Sequence, residues 1–197
     1  MANKHESRAE QIIQVAGIIP ECVVNAPGGI SYVIFAQGCG HRCPGCHNPE
    51  THDFSAGEAW TVEAVLQDVK RYPLSQIVTF SGGDPFFQAE PFTYLAKALK
   101  RANYTIVAYT GFYIEDILSE RQGDPSKRAL LTSIDVLIDG PFIQSLKERA
   151  LNFRGSTNQR IIDVQRSLRS GELVILDQYY EEDHYKSKYR SDIHEKR

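Results

Sequence analysis

Three of the chain's four cysteines, Cys39, Cys43 and Cys46, fall within eight residues in the stretch CGHRCPGC. No other feature constrains the chain as strongly. A disulfide framework uses an even number of cysteines spread along a small secreted chain, whereas three thiols crowded behind an apolar run read as a metal site. Cys22 stands alone and reads as a small buried hydrophobe rather than a ligand.

A ligand loop needs a rigid frame, and the surrounding pattern supplies one. The segments 30–37, 76–80, 104–109 and 134–138 are apolar runs of strand length. Between them Val62, Val65, Leu66 and Val69 recur at i, i+3, i+4 and i+7, as do Phe92, Leu95, Ala96 and Leu99, the spacing of one helix face. Thr61 is placed to cap the first of these helices, and Ile114, Ile117 and Leu118 suggest a third, shorter one. Strands alternating with helices imply an α/β fold around a mostly parallel sheet. At 197 residues the chain suits one domain, expected over 1–176. A tail over 177–197, dense in charge of both signs, is expected to be mobile or loosely packed.

Charge and composition exclude several function classes. A net charge of −3 gives no electrostatic case for nucleic acid or a membrane surface. The N-terminus is polar, without the apolar stretch of a signal peptide, and no apolar run reaches the length of a membrane span. A cytoplasmic protein with reduced thiols is the expectation.

In parallel α/β folds the working residues gather at the carboxyl ends of the strands. Here the cysteine loop follows the first strand, SGGDP (81–85) the second, TGF (110–112) the third and DGPF (139–142) the fourth. One shared site is expected. Zinc would need a fourth ligand from His41, His47 or His52, and usually draws on two separated pairs. Three thiolates from one loop suit a four-iron cluster whose fourth iron lacks a protein ligand. The segment RGSTNQR (154–160) is too polar for a core, and Arg154, Asn158 and Arg160 are candidates for a ligand carboxylate or the edge of a cleft.

The C-x3-C-x2-C spacing resembles the signature of the radical S-adenosylmethionine (radical SAM) superfamily. The resemblance implies a [4Fe-4S] cluster on Cys39, Cys43 and Cys46, with the open iron chelated by the amino and carboxylate groups of S-adenosyl-L-methionine. Reductive cleavage would then give methionine and a 5′-deoxyadenosyl radical that abstracts hydrogen. The implied fold is an incomplete, partial TIM-type βα barrel. Gly82, Gly83 and Asp84 resemble the superfamily's glycine-glycine-acid motif, which receives the amino group, with aspartate in place of the more usual glutamate. Thr110 and Asp139 stand where related enzymes contact the ribose or methionine; as local chemistry, a helix cap and a turn-forming aspartate remain open for them. The residue before the last cysteine is often aromatic and here is Gly45, so His47 or the backbone after Cys46 would have to meet the adenine.

QGCGHRCPGCHNPETHDF, TFSGGDP, YTGF, LIDGPF and FRGSTNQRI follow in order between residues 35 and 161. As a set they are similar to the activating components of the anaerobic (class III) ribonucleotide reductase. The similarity implies a glycyl radical made near the C-terminus of the large reductase subunit, and a low-potential electron donor such as flavodoxin or ferredoxin. One stretch departs: where the family has an acid, then Gly-Pro-Gly, then arginine, this chain has VNAPGGISY, with Asn25, Ala26 and Ser31. An activase of another, formate-lyase-like glycyl radical enzyme is the nearest alternative, and a zinc-binding interaction module a more distant one.

Overall fold

A parallel strand is buried on both faces, so its successive side chains must all find apolar surroundings. The chain satisfies this with one seven-stranded sheet. The structure, a computed structural model, describes residues 10–119 and 123–180. Its strands are β1 (Ile12–Cys22), β2 (Ser31–Ala36), β3 (Glu58–Thr61), β4 (Ile77–Gly82), β5 (Thr105–Tyr109), β6 (Val136–Asp139) and β7 (Arg160–Asp163), in the order β3-β1-β2-β4-β5-β6-β7. The four apolar runs became β2, β4, β5 and β6, which pair in parallel, with Val33 beside Thr79, Thr79 beside Val107, and Val107 beside Val136.

The remaining strands were not anticipated, and all of them pair antiparallel. β1 contains Gly17 and Pro20, and its pairing with β2 shifts register twice. Such bulges break the period-2 pattern by which a strand is read. β3 and β7 are only four residues each, too short for a pattern to stand out.

The helices are α1 (Val62–Val69), α2 (Ala89–Arg101), α3 (Ile114–Leu118), α4 (Pro125–Leu131) and α5 (Val164–Ser170). Thr61 caps α1 as expected, its hydroxyl accepting from the amide of Ala64 at 3.1 Å. The stripe Phe92, Leu95, Ala96 and Leu99 of α2 is fully buried. It packs on one face of the sheet with Ile34, Phe80 and Ile106. The opposite face carries Ile77, Val107, Ile138 and Ile161, covered by Phe153, Leu176, Tyr179 and Tyr180, the last two in a helical turn that begins at residue 178. Tyr179 and Tyr180 open the charged stretch expected to begin at Asp177; residues 181–197 lie outside the described residues.

Candidate iron–sulfur site

The cysteine loop leaves β2 and is fastened at its start by a turn of 3₁₀ helix, Pro49–His52. The amide of Gly38 donates to the Thr51 carbonyl at 2.8 Å and that of Cys39 to the His52 carbonyl at 3.3 Å. The Gln37 amide nitrogen donates to the carbonyls of Asp53 and Glu50. Within the loop, the Cys46 amide donates to the Cys43 carbonyl, and the Asn48 amide to the Cys46 sulfur at 3.4 Å. Cys39 is 7% exposed, and Cys43 and Cys46 are half-buried. Burial pushes the Cys39 thiol above its ordinary range, against a smaller opposite pull from the His41 amide.

The three cysteines line one open cleft of about 460 Å³ together with Gly82, Gly83, Thr110 and Arg154. The glycines follow from backbone crowding. A Cβ on Gly82 would lie 2.6 Å from the Phe35 Cα, and one on Gly83 would lie 2.5 Å from the Gly38 carbonyl oxygen. Thus the end of β4 can sit against the start of the cysteine loop only without side chains. His47 also lines the cleft, its ring 5.1 Å from that of Phe142. Phe35, Tyr109, Phe142, Phe153 and Gln159 are also among its walls, and none of them was singled out from the sequence. Phe35 and Tyr109 could have been: alternation from the buried Ile34 and Ala108 puts both on the sheet face away from the helices.

Asp84, Asp139, Asn158 and Arg160 do not line the cleft, and Thr110, which does, has its hydroxyl already engaged. Asp84 is 1% exposed and accepts from the Thr110 hydroxyl (2.8 Å) and the amides of Gly111 (3.0 Å) and Phe86 (2.9 Å). Thr110 caps no helix; its hydroxyl donates to Asp84 and accepts from the Phe112 amide. Asp139 is fully buried, accepting from the Ile114 amide at 2.9 Å and pairing with Arg160 at 2.9 and 2.5 Å. Asn158 donates to the Pro141 carbonyl at 2.8 Å and accepts from the Ser156 hydroxyl. Arg160 also grips Glu115, and both acids raise its affinity for its proton. Asp139, Asn158 and Arg160 therefore brace the frame. Arg154 stays on the cleft, its guanidinium 3.9 Å from the centre of the Tyr180 ring.

The donor set fits an iron–sulfur cube. Three thiols of one loop line the cleft, and such a cube takes each thiolate at a separate iron.

A family model described as a 4Fe-4S single cluster domain matches residues 24–162. A Vibrio cholerae protein named anaerobic ribonucleoside-triphosphate reductase-activating protein is 35% identical over 150 residues, covering 72% of this chain and 92% of that protein. Proteins of the same name from Escherichia coli K12 and Enterobacteria phage T4 are 30% and 33% identical, over 71% and 73% of this chain and 92% and 90% of theirs. Among solved structures, QueE from Escherichia coli shares the fold with a TM-score of 0.51 at 15% identity, over 71% of this chain and 76% of that one. On the strength of the matched segment and of relatives covered almost end to end, the chain belongs to the family of anaerobic ribonucleoside-triphosphate reductase-activating proteins.

Proposed function

We propose that the chain holds a [4Fe-4S] cluster through Cys39, Cys43 and Cys46, binds S-adenosyl-L-methionine beside it, and generates a glycyl radical on the large subunit of an anaerobic ribonucleotide reductase. One observation carries this: three thiols of one loop, the glycine-bearing end of β4 and the end of β5 line a single cleft at the carboxyl ends of parallel strands. When bound, the cluster supplies the single electron that splits a carbon–sulfur bond of S-adenosyl-L-methionine, so that a hydrogen can be taken from a glycine α-carbon.

The chain's residues bind, orient and exclude water. Cys39 takes its iron in a dry position, since it is buried. Gly82 and Gly83 present bare backbone for the amino group. Arg154 offers its guanidinium to the carboxylate, the planar fork suited to that partner. His47 and Phe142 give ring surfaces for the adenine.

Helices α1 to α5 pack on one face of the sheet, which supports reading it as an incomplete βα barrel whose gap would admit a protein substrate. The electron would come from a low-potential donor such as flavodoxin or ferredoxin. No described helix is long and apolar enough to cross a membrane. The relatives' names favour the reductase over a formate-lyase-like partner.

The test is anaerobic. The chain is reconstituted with iron and sulfide, reduced, and mixed with S-adenosyl-L-methionine and the class III reductase of the same source. A glycyl doublet in the electron paramagnetic resonance spectrum of the reductase, lost in Cys39→Ala, Cys43→Ala and Cys46→Ala, is the expected result. A chain that binds zinc, takes up no iron–sulfur cluster and cleaves no S-adenosyl-L-methionine would sink the reading.

A further inference from the structure

Asp84 occupies the acid position of a motif associated with a cofactor amino group, yet its carboxyl lies inside the protein. At 1% exposure, it is absent from a cleft that Ser81, Gly82 and Gly83 all line. Three donors already reach it, from Thr110, Gly111 and Phe86. The fourth partner comes from the middle of the cysteine loop: His41 Nε2 lies 3.0 Å from Asp84 Oδ2. With only acceptor oxygens facing it, the ring carries its hydrogen on Nε2 and donates.

Independent constraints hold the same ring. It stands edge-on to Phe112, with centroids 4.5 Å apart, and to Phe87 at 5.4 Å. Gly111 leaves it room, since a Cβ there would lie 2.5 Å from His41 Cδ2. Gly40 does the same for Phe87, whose Cζ would be 2.8 Å from an added Cβ. Arg42, the next residue, takes a left-handed φ of 48°, a conformation a non-glycine residue keeps only when its surroundings enforce it. The Asp84 amide meanwhile donates to the Gly38 carbonyl at 3.1 Å. Asp84 thus grips the loop twice, by backbone just before Cys39 and by side chain between Cys39 and Cys43.

We infer that His41 and Asp84 form a latch that sets the cysteine loop against the ends of β4 and β5, and that Asp84 is a positioning residue for the cluster rather than a ligand of S-adenosyl-L-methionine. The inference rests on the cluster assignment above and deepens it. The short aspartate side chain turns back onto Thr110 and Gly111 at the end of the neighbouring strand β5. Partners behind metal ligands typically change metal affinity by about 10- to 100-fold when removed.

The experiment uses the full chain, reconstituted anaerobically, with iron and sulfide counted per folded chain and S-adenosyl-L-methionine affinity measured by calorimetry on the loaded fraction. The variants are His41→Leu, His41→Gln and Asp84→Asn. His41→Leu removes the donor, and is expected to lower cluster affinity about tenfold or more. His41→Gln, whose amide can donate to the same oxygen, restores most of it. Asp84→Asn falls with His41→Leu, and whatever cluster-loaded chain remains binds S-adenosyl-L-methionine like the parent. If Asp84→Asn does not fold, the two His41 variants decide alone, because only 18% of that side chain's surface is exposed yet it sits on a loop. The latch is refuted if His41→Leu loads like the parent, or if loaded Asp84→Asn loses S-adenosyl-L-methionine binding while keeping its cluster. Failure of the parent itself to load a cluster would overturn the cluster assignment instead.

Discussion

At the scale of single residues, the four thiols divide by surroundings. Cys22 is half-buried at the end of β1, its sulfur 3.5 Å from Asn25 Oδ1, and it is not on the cleft. Cys22→Ala should leave iron and sulfide content at the parent's level, while Cys39→Ala should retain no stable cluster; both are read by chemical assay after reconstitution. Gly111→Ala is a second test at this scale. The added methyl must displace the His41 ring, so cluster retention should fall although no polar group is lost. The cysteine spacing was legible because the three thiols share one local loop. The His41–Asp84 contact was not, because its partners are 43 positions apart and only the fold brings them together.

Among elements, the joint between β6, β7 and α3 rests on a chain of charges. Arg160 binds the fully buried Asp139 on one side and the more exposed Glu115 on the other, while Asp139 also holds the first amide of α3. Asp139→Ala leaves a guanidinium without its buried partner and should cost about 3–5 kcal/mol in urea unfolding. Glu115 has a pH signature. Its hydrogen bonds to Arg160 hold its carboxyl below the ordinary value of 4.5. Its stabilising share is therefore complete above that value and is lost as the pH falls through the lower, folded one. Glu115→Gln should flatten the dependence of the thermal midpoint on pH in that acid range. From sequence, Asp139 and Arg160 looked like candidates for the site because they flank its loops. Neither the antiparallel return of β7 that pairs Asp139 with Arg160, nor the bulges of β1, has a local pattern to reveal it. The parallel strands and the two long helices did, because burial on both faces or on one stripe leaves a period in the chain.

On the scale of the whole molecule, the sheet is covered unequally. Helices blanket one face, and the other is shared between the cleft and the chain's own later residues. Tyr180 joins the two: its ring lies under Arg154, and its hydroxyl oxygen accepts from the Ile161 amide at 2.9 Å. Tyr180→Ala should therefore lower stability by about 1–3 kcal/mol and weaken S-adenosyl-L-methionine binding through a less constrained Arg154. Tyr180→Phe, which keeps the ring, should do less on both counts; chemical unfolding and calorimetry on the loaded chain separate the two effects.

The segment shared with the family model ends at residue 162, before Leu176, Tyr179 and Tyr180. An expression fragment trimmed to that shared boundary would take Leu176, Tyr179 and Tyr180 off Ile77, Val107, Ile138 and Ile161, leaving Phe153 in place of the four covering residues. Such a fragment should self-associate through a wet, oily strip beside its own cleft, and its failure would look like a lost activity when it is a lost lining.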